Sequence, residues 1–150
     1  MPAAPRARRR GTTTVEFAIA CPIIFFVVLA TIVGGQGVFF YQAVASMARE
    51  GVRWASVRGS EYEEETAQPA ATAADIYANA IAPGAVGLDL ANLSYTVGWN
   101  QNNSPLTVYE DVQAPKGNTV TVTVNYLWKP AWFLVGPFTL TSTSTAQMLY

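Results

Sequence analysis

The chain has 150 residues, 51% of them hydrophobic and 13% charged, with nine Lys and Arg against ten Asp and Glu, one Cys and no His. Soluble domains carry about 25% charged residues, so charge is scarce, and without His the Ser-His-Asp and Cys-His nucleophile systems and His-based proton shuttles are excluded. A lone Cys excludes a zinc cage and an internal disulfide, and a net charge of −1 leaves no surplus of cations for nucleic acid.

Arg6, Arg8, Arg9 and Arg10 make residues 1–11 a basic leader, and no charged side chain occurs from Phe17 to Ala48. As a helix, Val15 to Gly34 spans about 30 Å, the thickness of a bilayer hydrocarbon core. This predicts a transmembrane helix over residues 12–37. Residues 59–150 hold eight acids against Lys116 and Lys129. The positive-inside rule then places the N-terminus in the cytoplasm and the C-terminal region outside; Arg49, Arg53 and Arg58 oppose this order without reversing it. The alternative is a secretory signal peptide cut at Ala43-Val44-Ala45. Its h-region would be about 7–15 residues, and the apolar run here is longer.

Gly34, Gly35 and Gly37 are flexible points at which the helix could loosen or bend. Periodicity resumes over residues 38–58, where Tyr41, Val44, Ala45, Ala48, Val52 and Ala55 share one face and Gln42, Ser46, Arg49 and Arg53 another. From Thr13 to Val57 such a helix is about 68 Å long, so its outer part must pack on something beyond the bilayer. Residues 59–150 supply the partner. Ser60 to Pro69, with Glu63-Glu64-Glu65, reads as a polar loop, and Ala70 to Ala82 as a short helix closed by Pro83-Gly84.

Strands follow. Leu93, Tyr95, Val97 and Trp99 alternate with polar residues or Gly, and a weak strand is predicted around Leu106 to Tyr109. Val120, Val122, Val124, Tyr126 and Trp128 share one face of the clearest strand, Thr119 to Trp128. A last, Thr-rich strand runs from Phe138 to Leu149. The expected fold is α+β: a long N-terminal transmembrane helix continuing as an amphipathic helix packed on a small antiparallel sheet, with residues 59–150 an extracytoplasmic domain.

The sharpest local signal is Gly11-Thr12-Thr13-Thr14-Val15-Glu16-Phe17. A carboxylate at the mouth of an apolar helix costs a few kcal/mol in lipid unless paired or neutralised. A capping box accounts for it, with Thr13 as N-cap and Glu16 as N3. A second account comes from the surroundings. A basic leader ending in Gly, a Glu five residues on and an apolar helix resemble the processing site of type IV pilin-like proteins.

More specifically, Arg10-Gly11-Thr12-Thr13-Thr14-Val15-Glu16-Phe17-Ala18, Pro22, Tyr41-Gln42-Ala43 and Ala48-Arg49-Glu50-Gly51-Val52-Arg53 resemble the TadE family of tight-adherence pilus pseudopilins. Val122, Val124 and Tyr126, the apolar Pro-containing hairpin after them and the Thr-rich end are loosely similar too. The resemblance implies a minor pilin-like subunit in a bacterial cytoplasmic membrane. It implies cleavage between Gly11 and Thr12 by a prepilin peptidase, with Glu16, Phe17 and Pro22 in subunit docking. Glu16 would pair with the freed amine of a neighbouring subunit. The partners implied are the membrane, the peptidase, other pilin and pseudopilin subunits and the assembly machinery. No cofactor, metal or enzymatic activity is expected.

Other residues are less telling. Pro22 removes a helix hydrogen bond, Ala30 and Gly34 form a small-xxx-small pair, and Cys21 behaves as a small hydrophobe. Trp128, Trp132 and Phe133 suit a membrane interface, a subunit contact or the domain's own core. The acids at 61–65 lack the alternating ligands and Gly of a calcium loop. Asp75 and Asp89 have no partner for acid–base chemistry. The alternative function is an unprocessed, signal-anchored binding module whose sheet recognises a surface ligand.

Overall fold

The computed structural model describes residues 11–100, 103, 118–130 and 136–149. The fold is α+β, a long apolar helix followed by short helices and a three-stranded antiparallel sheet. The described chain divides into two units, one reaching Gln36 and one starting at Gly37.

The first unit is the opening part of helix α1 (Thr12–Ser56). An 18-residue window of this helix averages 2.7 in hydropathy, and none of that window is buried. Val15, Phe17, Ile19, Ile23, Phe26 and Val27 are all exposed, so apolar side chains cover every face and no polar stripe faces water. The helix is long and apolar enough to cross a membrane. Pro22 lies inside it. The helix assignment runs through Gly34, Gly35 and Gly37.

In the second unit, α1 has one buried stripe, made by Val44, Ala45, Met47, Ala48, Gly51, Val52 and Ala55. Gln42, Ser46, Arg49 and Arg53 are exposed, as their spacing predicts. Tyr41 departs from the predicted face: it is exposed, and Phe40 is the residue turned inward, meeting the rings of Tyr126 at 5.7 Å and Trp128 at 6.0 Å. The stripe advances by a turn from Phe40 to Val44, and Tyr41 falls beside it.

Strands β1 (Leu93–Trp99), β2 (Thr119–Trp128) and β3 (Phe138–Gln147) lie in the order β1-β2-β3, all antiparallel. Period-two alternation places Val120, Val122, Val124, Tyr126 and Trp128 in the core beneath α1. Each such Val is worth about 1.5–3 kcal/mol when fully buried. The opposite face carries the threonines. Met148 N–H donates to Asn118 O at 2.8 Å, which makes Thr121 with Thr145 and Thr123 with Thr143 non-hydrogen-bonded pairs, the positions where side chains approach most closely. Their hydroxyls accordingly meet at 2.9 Å in both pairs, and Thr141 donates to Asn125 Oδ1 at 2.7 Å.

The predicted loop Ser60 to Pro69 is instead largely helix α2 (Ser60–Thr66), stopped by Ala67 in the left-handed region at φ 56°. Glu61 to Glu65 are good helix formers with no apolar stripe, so periodicity could not reveal them. Arg58 lies over Trp54 at 4.4 Å and Tyr62 at 5.8 Å, joining the end of α1 to α2. The predicted helix over Ala70 to Ala82 is three short pieces: α3 (Ala73–Ile76), a π-helical turn (Tyr77–Ile81) and α4 (Ala82–Gly84). Thr72 and Asp75 cap α3 reciprocally. Asp75 accepts from the Thr72 hydroxyl at 2.6 Å and its N–H at 3.0 Å, and these bonds lower its pKa below the usual carboxylate value. Tyr77 stacks on Tyr95 at 4.7 Å, fastening the π turn to β1. The weak strand predicted at Leu106 to Tyr109, and Trp132 and Phe133, lie outside the described residues.

Candidate functional site

Two groups of residues were singled out by sequence, and they lie in different units. The first is the start of α1. Gly11 is exposed in a turn, and its carbonyl accepts from Val15 N–H at 3.4 Å. The helix therefore begins at Thr12. This corrects the capping-box reading, because Thr13 lies within the first helical turn and Glu16 beyond it, where Glu16 cannot serve as N3 to a Thr13 cap.

Glu16, Phe17 and Pro22 are all exposed on α1. Among the described residues none meets the Glu16 carboxylate by hydrogen bond or ion pair. Glu16 is also the sole charged side chain of α1 before Arg49. Phe17 is 69% exposed beside it. At Pro22 the missing N–H leaves the carbonyl of Ala18 without its usual helical donor. The result is a helix start with an exposed glycine, a carboxylate without a partner among the described residues and an apolar flank.

The second group is Ala48-Arg49-Glu50-Gly51-Val52-Arg53. Ala48, Gly51 and Val52 point into the core, while Arg49, Glu50 and Arg53 are exposed. A Cβ at Gly51 would lie 3.2 Å from a methyl of Val122 and 3.5 Å from Ile76 and Ile81. Gly51 is thus where the helix backbone comes down onto both the sheet and the π turn. Gly84 packs in the same way on Met47, whose Cγ would be 2.9 Å from an added Cβ. Sequence reasoning missed Phe40, Met47 and these contact glycines. A glycine used for close approach has no side chain to enter a hydrophobic pattern, and only its place on the buried stripe could have signalled it.

A shallow groove of about 470 Å³ lies between α1 and the π turn, lined by Ser46, Met47, Glu50, Asn79, Pro83 and Gly84. Among the described residues no group of His, Cys, Asp and Glu is placed to hold a metal ion. Cys21 is a free, exposed thiol on the apolar part of α1.

Comparison with known proteins gives one finding for the regions just described. Residues 11–53 match the family described as TadE-like protein. The match begins at the exposed Gly11 and ends with Arg53, so it covers both groups of residues. No curated protein and no solved structure matches the chain.

Proposed function

From the match of residues 11–53 to TadE-like proteins, we propose that the chain is a minor pilin-like subunit that assembles tight-adherence pili. Residues 12–37 anchor it in a bacterial cytoplasmic membrane, the basic leader 1–11 stays in the cytoplasm and residues 59–150 form the extracytoplasmic domain. A prepilin peptidase cuts between Gly11 and Thr12. The chain is that enzyme's substrate and performs no chemistry of its own.

The observation that carries this reading is Glu16, exposed and without a partner among the described residues on a helix otherwise uncharged as far as Ala48. A carboxylate there is costly in lipid. The amine freed at Thr12 of a neighbouring subunit supplies the opposite charge that pairs with Glu16. Phe17 and Pro22 then shape the contact between neighbouring helices.

Glu16→Ala tests it. The variant should insert into the membrane as the parent does but lose most piliation, scored by pilus shearing and electron microscopy. Full piliation would favour the unprocessed, signal-anchored module. Intact mass of the extracted protein checks the cut independently. A species retaining residues 1–11 in cells with active peptidase rules out cleavage after Gly11.

A further inference from the structure

The outer face of the sheet changes character at one end. Along β2 it reads Thr119, Thr121, Thr123, Asn125 and then Leu127, which is 36% exposed. Opposite them on β3 stand Gln147, Thr145, Thr143, Thr141 and Thr139, and β3 begins with Phe138, 48% exposed. On this face the ladder ends at Leu127; Phe138, the partner of Trp128, lies on the other face at the same end, so large apolar side chains face solvent on both faces there.

That end of the sheet is fixed against a defined level of α1. The Trp128 ring occupies the space beside Gly37, where an added Cβ would lie 2.8 Å from it. Trp128 also stacks on Phe138 at 6.2 Å and meets Phe40 at 6.0 Å. Flanking Phe40 on the helix, Val38, Phe39 and Tyr41 are exposed. In sequence these residues directly follow the apolar run that ends near Gly34, and one helical turn of about 5.4 Å holds them. They therefore fall where the chain leaves the hydrocarbon, the level at which aromatic rings partition to the headgroup boundary.

Charge points the same way. Residues 37–48, 118–130 and 136–149 contain no Asp or Glu, and their one charged side chain is the exposed Lys129, next to Trp128. A cation beside exposed aromatic and aliphatic groups, with no carboxylate near it in sequence, suits an anionic lipid surface.

We infer that Val38, Phe39, Tyr41, Leu127 and Phe138 form a second membrane contact, by which the Leu127–Phe138 end of the sheet rests in the headgroup layer of an anionic bilayer. This rests on residues 12–37 spanning the membrane, and it adds that the folded domain itself touches lipid.

The test is spin labelling of the full chain in vesicles of phosphatidylethanolamine and phosphatidylglycerol. In a Cys21→Ser background, single nitroxides replace Ile24, Leu127 or Thr123, and collisions with dissolved oxygen are compared with collisions with a water-soluble nickel chelate. Labels at 24 and 127 should be reached chiefly by oxygen, and the label at 123, four residues down the same face, chiefly by nickel. A water-like label at 24 would overturn the span itself. A lipid-like label at 24 with a water-like one at 127 overturns this contact alone. A label at 127 shielded from both probes shows that the chain itself or a second copy covers the patch and also overturns the lipid contact. Phe138→Cys repeats the measurement should the label at 127 disturb the strand.

Discussion

Val28 and Val44 are the same residue type in the same helix, yet the first is 50% exposed and the second is fully buried. Up to Gln36 the helix is apolar on every side and buries nothing within the described chain. From Val44 onward it keeps a single apolar stripe for the sheet and turns Ser46, Arg49 and Arg53 outward. One stretch is built for an apolar solvent and the other for water on one side and a protein core on the other. The same apolar side chain therefore contributes to insertion in one stretch and to folding in the other.

The sharpest way to break that comparison is to place one carboxylate in each stretch. Val52→Asp puts an unpaired charge where the parent residue is 3% exposed, and should destabilise the domain by about 3–5 kcal/mol. Near-UV circular dichroism of the detergent-extracted chain would show a lost or much lower unfolding transition. Val28→Asp should leave that transition in place and instead weaken membrane insertion by about 2.5–3.5 kcal/mol, read by resistance to alkaline extraction. If both variants lowered the unfolding transition equally, the two stretches would not be doing different work.

Glycine sharpens the contrast at smaller amplitude. Gly51→Leu drives a side chain into Val122, Ile76 and Ile81, an overpacking cost of about 1–3 kcal/mol visible as a reduced denaturation midpoint. Gly34 has nothing within 4 Å of an added Cβ. Gly34→Leu should leave the domain's stability unchanged and gain helix propensity, because glycine is about 1 kcal/mol worse than Ala inside a helix.

The smallest expected effect concerns pH. The carboxylate form of Asp75 is favoured in the fold by its bonds from Thr72, so its contribution is present in full above the ordinary carboxylate pKa. It is lost as pH falls through the lowered folded value. Hydrogen exchange at Ala73 to Ile76 should quicken over that acid window. In Asp75→Asn the quickening should be absent, with exchange already fast at neutral pH. The first part of α1 should show no matching response there.

How much of this was legible depended on whether a side chain carried the signal. The strands were readable because Val120, Val122 and Val124 alternate with threonines, and the sheet pairs them as that period requires. The apolar run of α1 was readable for the same reason. Helix α2 was not, because Glu61 to Glu65 favour a helix through backbone propensity without burying anything. Tyr41 was misplaced because its aromatic ring looks like core, while the geometry gave the inward position to its neighbour Phe40. At the helix start, Gly11 and Glu16 stood out in the sequence, but the start of α1 at Thr12, two residues earlier than a Thr13 cap requires, is a backbone choice no residue announces.

The π turn at Tyr77–Ile81 has a consequence for how the sequence tolerates editing. A π turn amounts to an α-helix that has accepted one extra residue, and here Ala80 and Ile81 are both buried within it. Excising a single residue, Asn79 for example, would restore regular winding. Because the widened turn absorbs that residue, the segment after it would keep nearly the same facing, with Gly84 still on Met47; a second excision would turn it by about 100° about the helix axis. The turn thus marks the place in this segment where the chain can lose one residue and keep its later contacts, whereas a loss of two would shift the frame of all of them together.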